Sequence, residues 1–229
     1  RLGRLTKNKY ENIYNIDVIG VSSRLLNNFY HCESTIYNEL SEFLIRQDPD
    51  LIINCAAMTN VDKCEIEIEK AYEVNQKIPE NIYEIITKHN LKCKVVQIST
   101  DQVYKSKSFT DLGEEEPINI YGKTKLDGDK LISKLSKSLI FRTNFLWGVG
   151  KDNQISWLIG NCSSENRFYL FKDVICNPLH MDYLVNFIIE NSFKDINGIF
   201  NLGSSDALSK AEIFKRIAKN LNLDLTNAE

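Results

Sequence analysis

The 229-residue chain lacks the patterns that would place it in several large functional classes. Its six cysteines, Cys32, Cys55, Cys64, Cys93, Cys162 and Cys176, form no CxxC pair and no cluster flanked by histidine, so the ligand spacing of a metal site is missing. Several stand in apolar, strand-like runs, where a free thiol acts as a small hydrophobe, and this predicts a reducing, cytoplasmic setting. No apolar run approaches the ~18 residues of a membrane-spanning helix, and the first residues show no secretory leader pattern. Charge of one sign is missing too: 28 basic and 31 acidic residues leave a formal net charge of −3. The basic residues are scattered and mostly lysine, so no stripe addresses nucleic acid or an anionic membrane. There is no internal repeat and no low-complexity segment. The chain opens RLGRLTKN without an initiator methionine, with Gly3 ahead of a helix-like start, which predicts further residues upstream.

What is present is an ordinary globular balance, 43% hydrophobic and 26% charged, long enough for one large or two small domains. Short apolar runs alternate with longer helical stretches. Strands are predicted at residues 15–23 (NIDVIGVSS), 29–32 (FYHC), 51–57 (LIINCAA), 94–100 (KVVQIST) and 138–144 (SLIFRTN). Between them lie an amphipathic helix closed by Pro49, a long helical segment from about Val61 to His89 broken or bent near Pro79, and a helix holding YGKTKLDGDKLISKL. Beyond residue 145 come a strand, an Asn177-Pro178 turn with a helix, a short strand in GIFNLGSS, and a last helix with a capping box of Ser209 and Glu212. His180, beside Pro178, reads as a loop or helix-start residue. Asn75 reads as a tie between a helix and a neighbouring loop. Strand–helix–strand alternation at this spacing predicts an α/β fold, a Rossmann-like doubly wound parallel sheet. Ligands bind such sheets outside the carboxyl ends of the strands. The predicted ends, Ser22-Ser23, Cys55-Ala56-Ala57, Ser99-Thr100-Asp101 and Thr143-Asn144, are all small or polar.

Tyr121 and Lys125 form a YxxxK on a predicted helix beyond a strand that ends in Ser99-Thr100. At i and i+4 the two side chains share a helix face. An ammonium beside a phenol stabilises the phenolate, which predicts a Tyr121 pKa lowered from about 10 toward neutrality. Such a group exchanges protons with an oxygen at physiological pH, and a Thr100 hydroxyl can orient the same oxygen. The competing reading is a surface YxxxK beside an N-capping Ser-Thr-Asp.

LIINCAAMTNVDKCE, AYEVNQKIPENI, VVQISTDQVY, EEEPINIYGKTKLDGDK and FRTNFLWG, in this order and spacing, resemble the extended short-chain dehydrogenase/reductases. Within them they resemble most the dTDP-4-dehydrorhamnose reductase branch of nucleotide-sugar reductases. The resemblance implies a dinucleotide-binding Rossmann domain over residues 1–145. A mainly substrate-binding part would follow over 146–229, with some segments returning to the first domain. RLGRL matches the end of the family's glycine loop, so Arg1, Leu2 and Gly3 would contact cofactor; the first strand and two further glycines are not in this sequence. Cys32, Ala56, Ala57 and Met58 would also contact cofactor. Thr59, Val61, Thr100, Asp101 and Phe145 would face the sugar nucleotide. Thr100, Tyr121 and Lys125 would form the catalytic set: Tyr121 protonates the C4 carbonyl oxygen as hydride arrives, Thr100 orients it, and Lys125 holds ribose hydroxyls.

Three departures refine the expectation. Related 4,6-dehydratases carry Thr-Asp-Glu where this chain has Thr100-Asp101-Gln102, and an amide is no base, which favours simple keto-reduction. An acid is absent at the end of the second strand, where Ser22, Ser23 and Arg24 suit a 2′-phosphate, so NADPH is expected, with NADH as the other candidate. Phe145 replaces a tryptophan common after the family's RTS, which admits a 4-keto sugar other than the rhamnose precursor. The expected activity serves surface polysaccharide synthesis in the cytoplasm, and a homodimer is implied through the helices flanking the sheet. Alternatives are a non-catalytic regulatory subunit, like the β-subunit of methionine adenosyltransferase, and a nucleotide-sugar epimerase.

Overall fold

In the computed structural model, residues 2–14, 16–105, 114–148 and 154–229 are described. The chain divides into two compact units, residues 1–142 with 185–201, and residues 143–184 with 202–229.

The first unit opens with helix α1 (Leu2–Tyr14), followed by two short parallel strands, β1 (Val21–Ser22) and β2 (Tyr30–His31). The strand predicted over 15–23 is thus confined to two residues, because β2 offers only two partners. Helix α2 (Tyr37–Gln47) ends as predicted, with Asp48 in the left-handed region (φ 41°) just ahead of Pro49. Strand β3 (Leu51–Asn54) follows. The helical segment expected over 61–89 is divided into α3 (Val61–Ile66), α4 (Ile68–Tyr72), a π-helical turn (Glu73–Lys77) and α5 (Ile78–His89). The break expected near Pro79 falls just before it, and Pro79 itself occupies the first turn of α5, where a missing N–H costs little. The irregularity lies one turn earlier, where the widened π turn turns Asn75 into the interior.

Strand β4 (Lys94–Thr100) coincides with the predicted run, and helix α6 (Ile120–Ile132) and strand β5 (Ser138–Thr143) follow. The main sheet has the order β3-β4-β5-β9, with β9 spanning Gly198–Asn201 and parallel pairing for β3 on β4 and β5 on β9.

Side chains alternate across this sheet as a strand requires. Ile52, Val95, Ile140 and Ile199 join Leu40, Phe43, Ile82 and Ile85 of α2 and α5 in one core. Leu51 and Ile53 join Tyr10 of α1 and Val185 and Ile189 of helix α8 (Met181–Ser192) in another. Phe141 also meets Phe187 of α8 edge-on, with ring centroids 5.6 Å apart. Both faces are covered by helices, which is why these strands read as continuous apolar runs.

The second unit holds strands β6 (Leu146–Trp147), β7 (Ile175–Cys176), β8 (Leu179–His180) and β10 (Leu208–Ser209), with helices α7 (Gln154–Cys162) and α9 (Lys210–Leu221). Its core gathers Phe145, Leu158, Phe168, Leu170, Ala211 and Phe214. Helix α9 starts with the predicted capping box: Ser209 Oγ accepts from Glu212 N, and the Glu212 carboxylate accepts from Ser209 N.

Candidate active site

Parallel strands end on one edge, and the ends of β3 and β4 are pinned there by side chains. Asn54 and Gln97, paired across the two strands, are joined by Asn54 Nδ2 donating to Gln97 Oε1 at 2.8 Å. Asn54 Oδ1 accepts from Ala56 N (3.0 Å), so the same buried amide turns the chain out of the sheet. Asn75 then holds the loop: its Oδ1 accepts from Met58 N at 2.8 Å, and its Nδ2 donates to Met58 O and to Thr124 Oγ1, both at 3.1 Å. The expected tie between helix and loop is therefore observed, and it reaches α6, the helix that carries the YxxxK.

The opening turn of α6 is equally constrained. Asn119 Oδ1 caps it by accepting from Gly122 N (2.7 Å), and Glu65 of α3 accepts from Ile120 N (2.7 Å). Asn119 Nδ2 donates to Gln102 Oε1 at 2.9 Å, so Gln102 fastens the segment after β4 to the cap of α6. A Cβ on Gly122 would stand 2.1 Å from the carbonyl oxygen of Gln102, and only glycine permits this approach.

Held on these elements, Thr100, Tyr121 and Lys125 are all buried, 4%, 8% and 1% exposed. Lys125 Nζ donates to the Ile98 carbonyl at 2.7 Å. Burial lowers the Lys125 pKa, opposed by the charge of Asp129 and then of Cys55. The Tyr121 pKa is not lowered toward neutrality but pushed up to about 12. Burial is the main cause; hydrogen bonding to Thr100 pulls it back, and Asp101, Cys64 and Asp129 raise it further. The expectation fails because burial of the phenol outweighs the groups that favour its phenolate. The phenol is thus fully protonated near neutral pH, the form that donates a proton. Thr100 Oγ1 meanwhile donates to Asp101 Oδ1 (3.3 Å) and accepts from Gln102 N (3.2 Å).

Around this centre, Met58 and Val61 pack with Tyr121, Cys64 and Ala71. Ala56 and Thr59 are exposed and Ala57 half-buried on the same loop. Gly3, in the first turn of α1, lies over Cys55, to which an added Cβ would come within 3.5 Å, and Leu2 packs with the α1–α8 core. Arg1 lies outside the described residues. Ser22, Ser23 and Arg24 form a turn at the end of β1, with Arg24 N donating to Ser22 Oγ (3.0 Å) and both Ser23 and Arg24 exposed.

The sequence of this edge and its helices matches the family model described as RmlD substrate binding domain, over residues 7–228. The chain belongs to this family. Among its relatives, the spore coat polysaccharide biosynthesis protein SpsK of Bacillus subtilis is 30% identical over 180 residues, 77% of this chain and 62% of that protein. The dTDP-4-dehydrorhamnose reductase of Aggregatibacter actinomycetemcomitans is 31% identical over 154 residues, 66% of this chain and 52% of that protein. The chain thus spans between half and two thirds of the length of these curated relatives. The dTDP-4-dehydrorhamnose reductase of Bacillus anthracis, solved in complex with NADP, shares the fold with a TM-score of 0.88. It is 25% identical, with 100% of this chain and 80% of that one covered. The Rossmann-like α/β fold with its parallel sheet is the fold of this RmlD family member.

Two predicted site residues are packed in hydrophobic cores. Cys32 is 2% exposed and sits in the core with Leu40, Phe43 and Ile82, where burial raises its pKa. The Phe145 ring is 5% exposed and packs edge-on against Phe214, centroids 5.9 Å apart, within the core of the second unit. His180, expected in a loop or at a helix start, ends β8 directly before α8: its Nδ1 accepts from Asp182 N at 3.2 Å, and its ring lies against Trp147. Asn177 Nδ2 donates to the carbonyls of Ser204 and Asp206, both at 3.1 Å.

Apart from Asn75, the residues that hold the site in place were not read from the sequence. Asn119, three before Gly122, carries an N-cap signal that could have been read. Arg142, a guanidinium inside the apolar run SLIFRT, signals buried partners, and it has them. Its Nε donates to Asp129 Oδ2 (3.2 Å) and its NH1 to Glu115 Oε1 (2.6 Å) and Tyr104 Oη (2.8 Å).

Proposed function

We propose that this chain is the greater part of an NADPH-dependent oxidoreductase. In this reading it reduces the 4-keto group of a nucleotide-activated deoxysugar, of the dTDP-4-dehydrorhamnose kind, for polysaccharide synthesis. The observation that carries the reading is the buried Thr100–Tyr121–Lys125 set at the carboxyl edge of a parallel sheet, in a chain of the RmlD family. The kinship to reductases, and the NADP held by the Bacillus anthracis protein, support the choice of reaction and cofactor.

The donor set of the first unit fits a dinucleotide. Lys125 carries three N–H donors, of which the Ile98 carbonyl takes one, leaving others for ribose hydroxyls. Ala56 and Ala57 leave the backbone approachable, and the exposed hydroxyl of Ser23 with the guanidinium of Arg24 suits a 2′-phosphate. When bound, the nicotinamide supplies hydride to the carbonyl carbon. Tyr121 gives its phenolic proton to the carbonyl oxygen, and Thr100, its hydroxyl turned from Asp101 Oδ1, donates the hydrogen bond that fixes that oxygen. Gln102 takes no part as a base; its amide clips Asn119.

Substrate recognition by the second unit, a cytoplasmic location and a homodimer belong to the same reading. Among the described residues no helix is long and apolar enough to cross a membrane. Sedimentation of the full-length protein checks the dimer. The decisive assay mixes that protein with NADPH and a dTDP-4-keto-6-deoxy sugar and follows loss of reduced-nicotinamide absorbance. Turnover that falls away in Tyr121→Phe supports the reading. NADPH binding without turnover on any nucleotide-linked keto sugar rejects it and leaves a non-catalytic regulatory subunit.

A further inference from the structure

We propose that Arg142 is a positioning residue for Thr100: its guanidinium holds both ends of the turn from Ser99 to Tyr104, Tyr104 directly and Ser99 through the Asp129 carboxylate. This rests on the reading of the site just given. Arg142 is buried on β5, the strand beside β4 in the sheet. A guanidinium taken out of water costs several kcal/mol unless its donors are met, and here the bonds that meet them converge on one turn. Its Nε donates to Asp129 Oδ2 (3.2 Å), which also accepts from Ser99 Oγ (2.7 Å). Its NH1 donates to Tyr104 Oη (2.8 Å) and to Glu115 Oε1 (2.6 Å), and the guanidinium carbon lies 5.2 Å from the centre of the Tyr104 ring. Ser99 and Tyr104 are themselves buried.

The turn needs an outside hold. Between its two ends lie Thr100 and a single 3-10 turn, Asp101–Val103, too short to keep a shape of its own. Inside it, Gln102 N donates to Thr100 Oγ1 at 3.2 Å, and Tyr104 N donates to Asp101 O at 3.0 Å. The first bond occupies one lone pair of the Thr100 hydroxyl and so limits where its proton can point. The second closes the turn at the residue that Arg142 grips. A shift of either end therefore carries Gln102 N away from Thr100 Oγ1. The Gln102 side chain fastens the middle of the turn to Asn119 at the start of α6, and Arg142 fastens its ends to β5. Charge balance alone does not call for this arrangement. Glu115 already faces the guanidinium at 2.6 Å, whereas Tyr104 Oη is neutral and adds position rather than charge.

Arg142→Ala would leave two carboxylates without their cation, so the arms are cut one at a time in the full-length protein. Ser99→Ala frees one end of the turn and Tyr104→Phe the other. Arg142→Lys keeps the charge but replaces the planar fork by a single ammonium. Two quantities are read: kcat and KM with NADPH and a dTDP-4-keto sugar, and hydrogen exchange of the Gln102 amide by NMR. Each single-arm variant is expected to lower kcat about tenfold and Arg142→Lys about a hundredfold, with both KM values within about twofold of wild type. In a Thr100→Ala background the same substitutions change kcat by less than about twofold, because the hydroxyl they position is gone. The Gln102 amide exchanges about tenfold faster in each variant. A loss of kcat as large in the Thr100→Ala background as in the wild-type background overturns the proposal, and so does wild-type kcat in both single-arm variants. A wild type without turnover rejects the reductase reading. The Gln102 amide then decides alone, and unchanged exchange in Ser99→Ala and Tyr104→Phe overturns the role given to Arg142.

Discussion

The edge of the first unit presents two corners built in opposite ways. At the ends of β3 and β4, buried amides and carboxylates clamp every segment that reaches Tyr121: Asn54 to Gln97, Asn75 to Met58 and Thr124, Asn119 to Gln102, and Asp129 to Ser99 and Arg142. At the end of β1, Ser22, Ser23 and Arg24 stand on a strand of two residues, with one short turn bond and mostly exposed side chains. The contrast teaches where precision is needed. Proton transfer fails when donor and acceptor drift by an ångström, so the corner proposed for chemistry is built from buried polar bonds. Recognition of a phosphate tolerates a mobile, solvated guanidinium, and its corner needs no such frame.

Substitutions at the two corners break or sharpen this comparison. The largest effect is expected from Tyr121→Phe, which removes the proton donor and lowers kcat by about a thousandfold with little change in substrate KM; steady-state kinetics check it. Gly122→Ala forces a Cβ to 2.1 Å from the Gln102 carbonyl and should cost about 3 kcal/mol in urea denaturation, since backbone must move on both sides. The alkaline limb of stability carries a third signature. The folded Tyr121 pKa of about 12 exceeds its ordinary value of 10.0, so the folded state holds the phenolic proton more tightly than the unfolded state. That contribution is complete below pH 10.0 and is lost as pH rises toward about 12. Wild type should therefore lose about 2–3 kcal/mol more than Tyr121→Phe across that window, read from denaturation midpoints.

Asn75→Ala leaves Met58 N and O without their buried partner and should cost about 2 kcal/mol, with the loss of activity exceeding the loss of folded protein. The smallest effect belongs to the open corner. Arg24→Ala should raise the KM for NADPH about fivefold, leave NADH unchanged and leave kcat intact. A fall in kcat comparable to that of Tyr121→Phe would erase the distinction between the corners.

Legibility followed the same division. KVVQIST was readable to the residue because β4 is buried on both faces and its run is continuous. The capping box at Ser209 was readable because both partners lie within one turn. The strand at 15–23 was overdrawn, since its length is set by the partner β2 rather than by its own apolar residues. Asn75 was legible as a tie, whereas the packing of Cys32 and Phe145 in two cores was not. The direction of the Tyr121 shift was misjudged because four-residue spacing shows which side chains share a face but not how deeply they are buried.

By itself the sequence determined the order of strands and helices, the polar strand ends, the YxxxK spacing and the family, since each is a local pattern or an ordered set of them. Only the tertiary structure decided that Lys125 donates to the Ile98 carbonyl, that burial holds the proton on Tyr121, and that Arg142 reaches Glu115 and Tyr104. It also decided that Gln102 serves as a clip for Asn119. The reason is physical: burial and long-range partners set protonation and position, and neither is a property of residues close together in the chain.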